Sequence, residues 1–363
     1  MMNKKITTVL GDIGPEELGY TTFHEHVLSD ISLLNREVMK YKGNIPANML
    51  ELRMENLANL RQGMSIFSDE CSLAGDIDFA VAEFNAFQQI GGKAVVDPSP
   101  IGMRAPAEQL KEAALKSGIH LVTCTGIYYA AARPVEYVGK DDEFMYQVFR
   151  KEILEGIDGT AVKPGFLKCA VQTIHTNGSL DKSELDALRA QARLSNETGL
   201  SVHVHTGYPM TNDHLHKTVD VALKECGMVP SRLLMMHQDQ FLRRGNENNT
   251  YIANPEIARN VNTEYLERIL ERGVNIGFDS WGSFVNTLPD DYDRLKGLII
   301  LLKKGYGSQI VCGHDCVTKA YGKTAGSYGY TRFPEMMGQL QQFGLGEEVH
   351  NITVANPARI LAY

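Results

Sequence analysis

No stretch of this chain has enough consecutive apolar residues to cross a bilayer: the best run, GLIILL at 297–302, is far shorter than the roughly 18 residues that a span needs. The start, MMNKKITTVLGD, has two lysines but no apolar core behind them, so it does not read as a secretory signal, and a cytoplasmic protein is expected. Positive charge is in short supply, with 36 Lys and Arg against 44 Asp and Glu and a formal net charge of −8. That excludes a global attraction to nucleic acid or an anionic membrane, and an anionic small-molecule substrate would need a local basic pocket. The six cysteines (Cys71, Cys124, Cys169, Cys226, Cys312, Cys316) are scattered through apolar runs, which argues for reduced, buried thiols rather than a disulfide framework. Cys312 and Cys316 lack the second pair that a structural zinc site wants. Repeats, low-complexity tracts and linkers are also missing. Residues 1–363 are therefore expected to form one domain, a size that an α/β barrel with insertions reaches.

What the chain does have is alternation. Eight short apolar, β-branched runs recur: GYTTFHEH (19–26), AVVDPSP (94–100), HLVTCTGIY (120–128), GFLKCA (165–170), LSVHVHTG (200–207), LLMMHQD (233–239), VNIGFDS (274–280) and QIVCGHDC (309–316). Between them lie amphipathic patterns such as DFAVAEFNAFQQI and SELDALRAQARLSNETG, several with acids early and a closing glycine, as helices prefer. Strands alternating with helices imply a parallel sheet, and eight of them predict a closed (β/α)8 barrel, with a doubly wound open sheet as the alternative. The stretch 36–70 is too long for a simple connection and predicts extra helices after the first strand. Long insertions follow the sixth and eighth runs, where they would cover the carboxyl ends of the strands.

Residues 21–30, TTFHEHVLSD, raise a question of chemistry. On a strand His24 and His26 share one face while Glu25 takes the other, so the two imidazoles either grip one metal ion or sit as ordinary polar residues. The other strand ends favour the metal: Lys168 ends the fourth run, His205 the fifth, His237 the sixth and Asp315 the eighth, and in a barrel all six converge. His203 lies about 6.6 Å deeper along its strand than His205. It is expected in the core, and His314 is expected to point away from Asp315. Asp239 and Asp279 suit either ligand orientation or helix capping.

The motifs TTFHEH, GFLKCA, VHVHTG, MMHQD and CGHD, with the terminal ITVANPARILAY, resemble the phosphotriesterase family of the amidohydrolase superfamily over nearly the whole chain. The resemblance implies two divalent metal ions, zinc first, with manganese or cobalt as alternatives. His24, His26 and Asp315 would hold one, His205 and His237 the other, and Lys168, carboxylated by carbon dioxide to a carbamate, would bridge them. A bare ammonium has no lone pair for a cation, whereas a carbamate is an anionic two-oxygen ligand. The implied reaction is hydrolysis by a bridging hydroxide, with Asp315 as the acid/base group. Phosphotriester-hydrolysing relatives use an aspartate and a histidine where this chain has Gln240 and Ser280, which weakens that substrate class. TGIY resembles the lactone-hydrolysing members and makes Tyr128 the lactone-orienting residue. Lys319, Lys323, Arg332, Arg243 and Arg244, with Tyr321, lie in the loops expected at the site mouth and suggest a phosphate subsite. A phosphorylated five-carbon sugar 1,4-lactone is the substrate expected, and the family resemblance implies a homodimer. Alternatives are an acyl homoserine lactonase or phosphotriesterase on the same scaffold, a TatD-like nuclease, which uses a glutamate where this chain has Lys168, and a non-catalytic metal-binding protein.

Overall fold

The computed structural model describes residues 4–33, 42–207, 209–242, 261–283, 285 and 289–363. An N-terminal hairpin, β1 (Ile6–Thr8) and β2 (Gly11–Ile13), precedes eight parallel strands. These are β3 (Thr21–Thr22), β4 (Ala94–Asp97), β5 (His120–Gly126), β6 (Phe166–Ala170), β7 (Val202–His205), β8 (Leu233–Met235), β9 (Asn275–Phe278) and β10 (Ile310–Cys312). They lie side by side in chain order. The amide of Phe23 donates to the Cys312 carbonyl at 2.8 Å, and those of His314 and Asp315 to the His24 carbonyl at 3.2 and 3.0 Å, so the first and last strands meet. The fold is a (β/α)8 barrel, and each of the eight apolar runs supplies one strand.

The strands are buried on both faces, as helix-covered parallel strands must be, which is why the runs read as apolar rather than strictly alternating. The helices start where the sequence supplies an oxygen to cap them: Asp76 accepts from Phe79 N, Asp181 from Ser183 N and Glu184 N, and Asp290 from Tyr292 N and Asp293 N. Gly118 and Gly199 close their helices in the left-handed conformation that a Cβ disfavours. No helix among the described residues is long and apolar enough to cross a membrane. All six cysteines are free, and five are buried.

Two expectations need correcting. The hairpin was not anticipated, because two three-residue strands give too short a pattern to register. The first barrel strand is also shorter than its apolar run: the ladder ends at Thr22, so His24 and His26 lie just beyond it. They keep the strand's alternation because Phe23 and Glu25 still donate their amides to Cys312 and Val96 on the neighbouring strands. The insertion after β3 forms, in its described part, short turns and one helix, Leu57–Arg61. Arg61 donates to the carbonyls of Ala320 and Ala325, so the insertion braces the loop after β10.

Candidate metal centre

The carboxyl ends of β3, β6, β7, β8 and β10 bring His24, His26, Lys168, His205, His237 and Asp315 to one place. The rings of His24 and His26 are 5.4 Å apart, His24 and His237 4.8 Å, and His205 and His237 4.5 Å. Asp315 Oδ1 lies 3.3 Å from His24 Nε2 and 3.2 Å from His26 Nε2. Donor atoms set tetrahedrally about one cation at bonds of about 2.1 Å stand roughly 3.4 Å apart, so this trio fits a single ion.

The hydrogen bonds on the far side of each ring say which nitrogen is free. His24 Nδ1 is 3.0 Å from Asp279 Oδ2, and His237 Nδ1 is 2.8 Å from Asp279 Oδ1. His26 Nδ1 is 2.8 Å from Ser99 Oγ, whose hydroxyl donates to Asp97 Oδ1. In these three rings the protein takes Nδ1 and leaves the Nε2 lone pair to the centre, the arrangement that metal-binding histidines adopt. His24, His237 and Asp279 are also close enough together to suggest a second chelating trio. However, both Asp279 oxygens accept from imidazole Nδ1–H groups, and the His237 backbone amide adds a third donor. Asp279 is therefore the bridge that orients two ligands.

Lys168 fits the remaining role through what it lacks. It is buried, and its Nζ has no hydrogen-bond partner. Burial pushes its pKa down against the pull of Asp279 and Asp315. An amine in its uncharged form is what adds carbon dioxide, and a carbamate here would supply two anionic oxygens in the middle of the candidate ligands. The backbone is shaped for this position: Gln191 Nε2 donates to the Lys168 carbonyl at 2.6 Å, and Gly126, at φ +146°, lies so near that a Cβ there would strike that carbonyl.

Electrostatics favour the cation-binding forms of His24, His205 and Asp315. Burial pushes the His24 imidazole down to about 4 in spite of Asp315 and Asp279, and it holds His205 far below its usual value. Burial raises the Asp315 carboxyl, but His24, His26 and His237 outweigh it and hold the group well below the usual carboxylate range. His237 and Asp315 both have left-handed backbones, φ 59° and 55°. That conformation is uncommon for a side-chain-bearing residue, and it concentrates where a site dictates direction.

Other expected residues sort cleanly. His203 is core, stacked on Phe166 at 4.1 Å with Nε2 3.0 Å from Ser201 Oγ. His314 pairs through Nδ1 with Glu25 and accepts from Phe333 N at 3.1 Å, so it braces the barrel. Asp239 is structural, its Oδ2 2.6 Å from Nε of the fully buried Arg294. Tyr128 lies at the centre, its hydroxyl 2.8 Å from His205 Nδ1. Burial raises its pKa far above the ordinary tyrosine value, so it remains an O–H donor. A cavity of about 140 Å³ beside Asp315 is lined by Gln240, Ser280, Ser283, Val285, Val317 and Tyr321.

Among the described residues, the late-loop cations each have a separate partner. Lys319 Nζ pairs with Asp76, Arg332 Nε with Asp291 Oδ2 at 2.6 Å, and Lys323 Nζ donates to Thr331 Oγ1 at 3.2 Å. The Tyr321 hydroxyl donates to the Arg61 carbonyl at 2.8 Å. Arg243 and Arg244 lie outside the described residues. The sequence reading missed Ser99 and Gln172, which hold ligand rings from the ends of β4 and β6. Only the PS of AVVDPSP hinted at the first.

A model of the phosphotriesterase family matches residues 4–361. The N-acetyltaurine hydrolase of Xenopus tropicalis is 25% identical over 376 residues, covering 100% of this chain and 99% of that protein. Among solved structures, a resiniferatoxin-binding protein from Rhodobacter sphaeroides superposes with a TM-score of 0.80 at 24% identity, covering 98% of this chain and 94% of that one. A lactonase from Listeria monocytogenes does so with a TM-score of 0.75 at 19% identity, covering 98% of each chain. The family match runs through every strand end that carries a candidate ligand, and the chain belongs to the phosphotriesterase family of metal-dependent hydrolases.

Proposed function

We propose that the chain is a lactonase that opens a sugar 1,4-lactone carrying a 5-phosphate. The observation that carries the lactone reading is the Tyr128 hydroxyl, a permanently protonated donor 2.8 Å from His205, where it can bind the ring oxygen or carbonyl of a small ester. His24, His26, His205, His237, Asp315 and carboxylated Lys168 would hold a pair of divalent cations. The chemistry such cations supply is polarisation of the acyl oxygen and acidification of water. Asp315 commits Oδ1 to the His24 and His26 side, which leaves Oδ2 to take the proton of the attacking water and return it to the leaving oxygen. Tyr128 orients the ring. Gln240, Ser280 and Ser283 give the cavity beside Asp315 a neutral hydrogen-bonding wall, which suits hydroxyl groups better than an acyl chain.

For the phosphate, Lys323 is the leading cation, because its Nζ hydrogen bond goes to a neutral hydroxyl whereas Lys319 and Arg332 are paired with carboxylates. One charge-assisted contact contributes about 1.5–3 kcal/mol, or roughly 10- to 150-fold in kcat/KM. A second reading is amide hydrolysis of an N-acyl sulfonate, favoured by the end-to-end match to proteins named N-acetyltaurine hydrolase. A pH-indicator assay on furanolactones with and without the 5-phosphate, an acyl homoserine lactone and a phosphotriester, beside an amine-release assay on N-acetyltaurine, whose hydrolysis frees no net proton, separates these readings. The phosphorylated lactone should lead by tenfold or more, and Lys323→Ala should erase the lead while leaving slow opening of the plain lactone. Faster turnover of N-acetyltaurine or the phosphotriester would overturn the lactone reading. Equal rates for the two furanolactones would overturn the phosphate subsite alone.

A further inference from the structure

His205 is held the opposite way round from the other three ligand histidines. His24, His26 and His237 give Nδ1 to the protein, whereas His205 gives Nε2, which lies 2.6 Å from Gln172 Oε1. A carboxamide oxygen only accepts, so Nε2 carries the hydrogen and the lone pair is on Nδ1; the Tyr128 hydroxyl lies beside this edge of the ring, 2.8 Å from Nδ1 and 3.3 Å from Nε2.

We propose that Gln172 is a positioning residue for His205, fixing its tautomer so that Nδ1 is the atom offered to the metal. His205 needs such a partner more than its fellows do. It is half-buried while the other three are buried, so packing alone constrains its ring less. Gln172 is itself anchored. Its backbone N–H donates to Glu184 Oε2 at 2.9 Å, and the Thr173 N–H and hydroxyl donate to the same carboxylate at 3.0 and 2.6 Å. Glu184 is fully buried on the helix Lys182–Thr198, and its Oε1 also accepts from Ala130 N at 2.9 Å. One carboxylate thus ties the loop carrying Gln172 to the loop carrying Tyr128, and both neighbours of His205 are set by a single anchor.

The inference rests on the metal centre and not on the substrate, so its test reads metal rather than turnover. Zinc-loaded wild-type, Gln172→Leu and Gln172→Glu proteins are titrated with a chelating zinc indicator. The cobalt-substituted forms are compared by visible absorption. Loss of a ligand-orienting partner weakens metal binding about 10- to 100-fold. Gln172→Leu should release one of its two metals that much more readily and shift the cobalt spectrum, while the melting temperature of the metal-free protein stays unchanged. Gln172→Glu, which keeps an acceptor at the same reach, should restore both. Wild-type retention in Gln172→Leu, or a Glu variant as weak as the Leu variant, overturns the proposal. So does equal loss of both metals together with a lowered metal-free melting temperature, which would mark a merely structural role. Where Gln172→Leu does not fold, Gln172→Met removes the acceptor at nearly constant length and decides in the same way. Wild-type protein that binds no zinc would overturn the metal centre itself.

Discussion

Asp315 has to satisfy several conditions at once. Its Oδ1 faces two imidazoles, its backbone is left-handed, and its amide donates to the His24 carbonyl across the barrel seam. Asparagine keeps the size and tolerates the same backbone but cannot accept a proton in the same way. Asp315→Asn should therefore fold normally and lower turnover by a factor of roughly 100 or more, the usual contribution of general acid/base catalysis. Wild-type turnover in steady-state assays would remove Asp315 from the proton path. Lys168→Ala makes a complementary case: elemental analysis should find fewer than two metals per chain, with activity partly restored by short carboxylic acids that replace the carbamate. Full metal content would exclude the bridge. These residues were legible in the sequence because a strand end is a sequence position. Asp279, Ser99 and Gln172 were ambiguous or invisible because their role is a contact between strands, and only the folded barrel shows which ring each one holds.

At the scale of elements, the helix Ile77–Gln89 buttresses the loop after β10. Its cap Asp76 pairs with Lys319, and the buried Glu83 on the same helix accepts from Lys323 N at 2.6 Å. Arg61 holds the same loop by its carbonyls. The loop carries Tyr321 into the cavity beside Asp315, so slackening it should disturb substrate binding more than the chemical step. Glu83→Ala is expected to raise KM several-fold with kcat within about twofold, and steady-state kinetics check it; a fall in kcat alone would contradict the buttress. The same loop shows where the sequence stopped being informative. Charge is visible in a sequence but its partner is not, so Lys319 and Arg332 read as free cations when carboxylates already hold them. The strands were legible because burial on both faces writes itself as short apolar runs, whereas the three-residue hairpin strands fell below the length at which any period shows.

For the whole molecule, the buried histidines make stability depend on pH. His24 is held down to about 4, and His203 and His205 lie well below the ordinary value, all by burial. In the unfolded chain these groups take up protons near pH 6.5, while the folded chain resists until lower pH. The unfolded state then binds more protons, so their contribution is complete above about 6.5 and is lost as pH falls toward 4. Asp97, pushed up to about 6 by burial, works in the opposite direction over part of that window, whereas His237, whose pKa Asp279 raises against burial, changes its contribution only above 6.5. Three depressed histidines outnumber this one carboxyl, and the metal-free protein should melt at progressively lower temperature from pH 6.5 to 4. Thermal scans across that range check the sign, and a rising melting temperature would refute it. Metal removal should lower the melting temperature at any one pH, since a ligand at a thousandfold excess over its Kd adds about 4 kcal/mol to the folded state.

The seam between β3 and β10 has a consequence for how the protein comes into being. One candidate ion draws its ligands from both sides of that seam, His24 and His26 from the first barrel strand and Asp315 from beyond the last. A ribosome that has delivered seven strands has made a chain with both opening histidines and no Asp315 to complete them. A cation captured earlier would be held only loosely, and firm capture would wait until β10 slides in against Phe23. Loading would then be timed to the last step of barrel closure, with the ion bridging the seam from inside. Nascent chains stalled before β10 should exchange their metal freely, whereas released full-length protein should not.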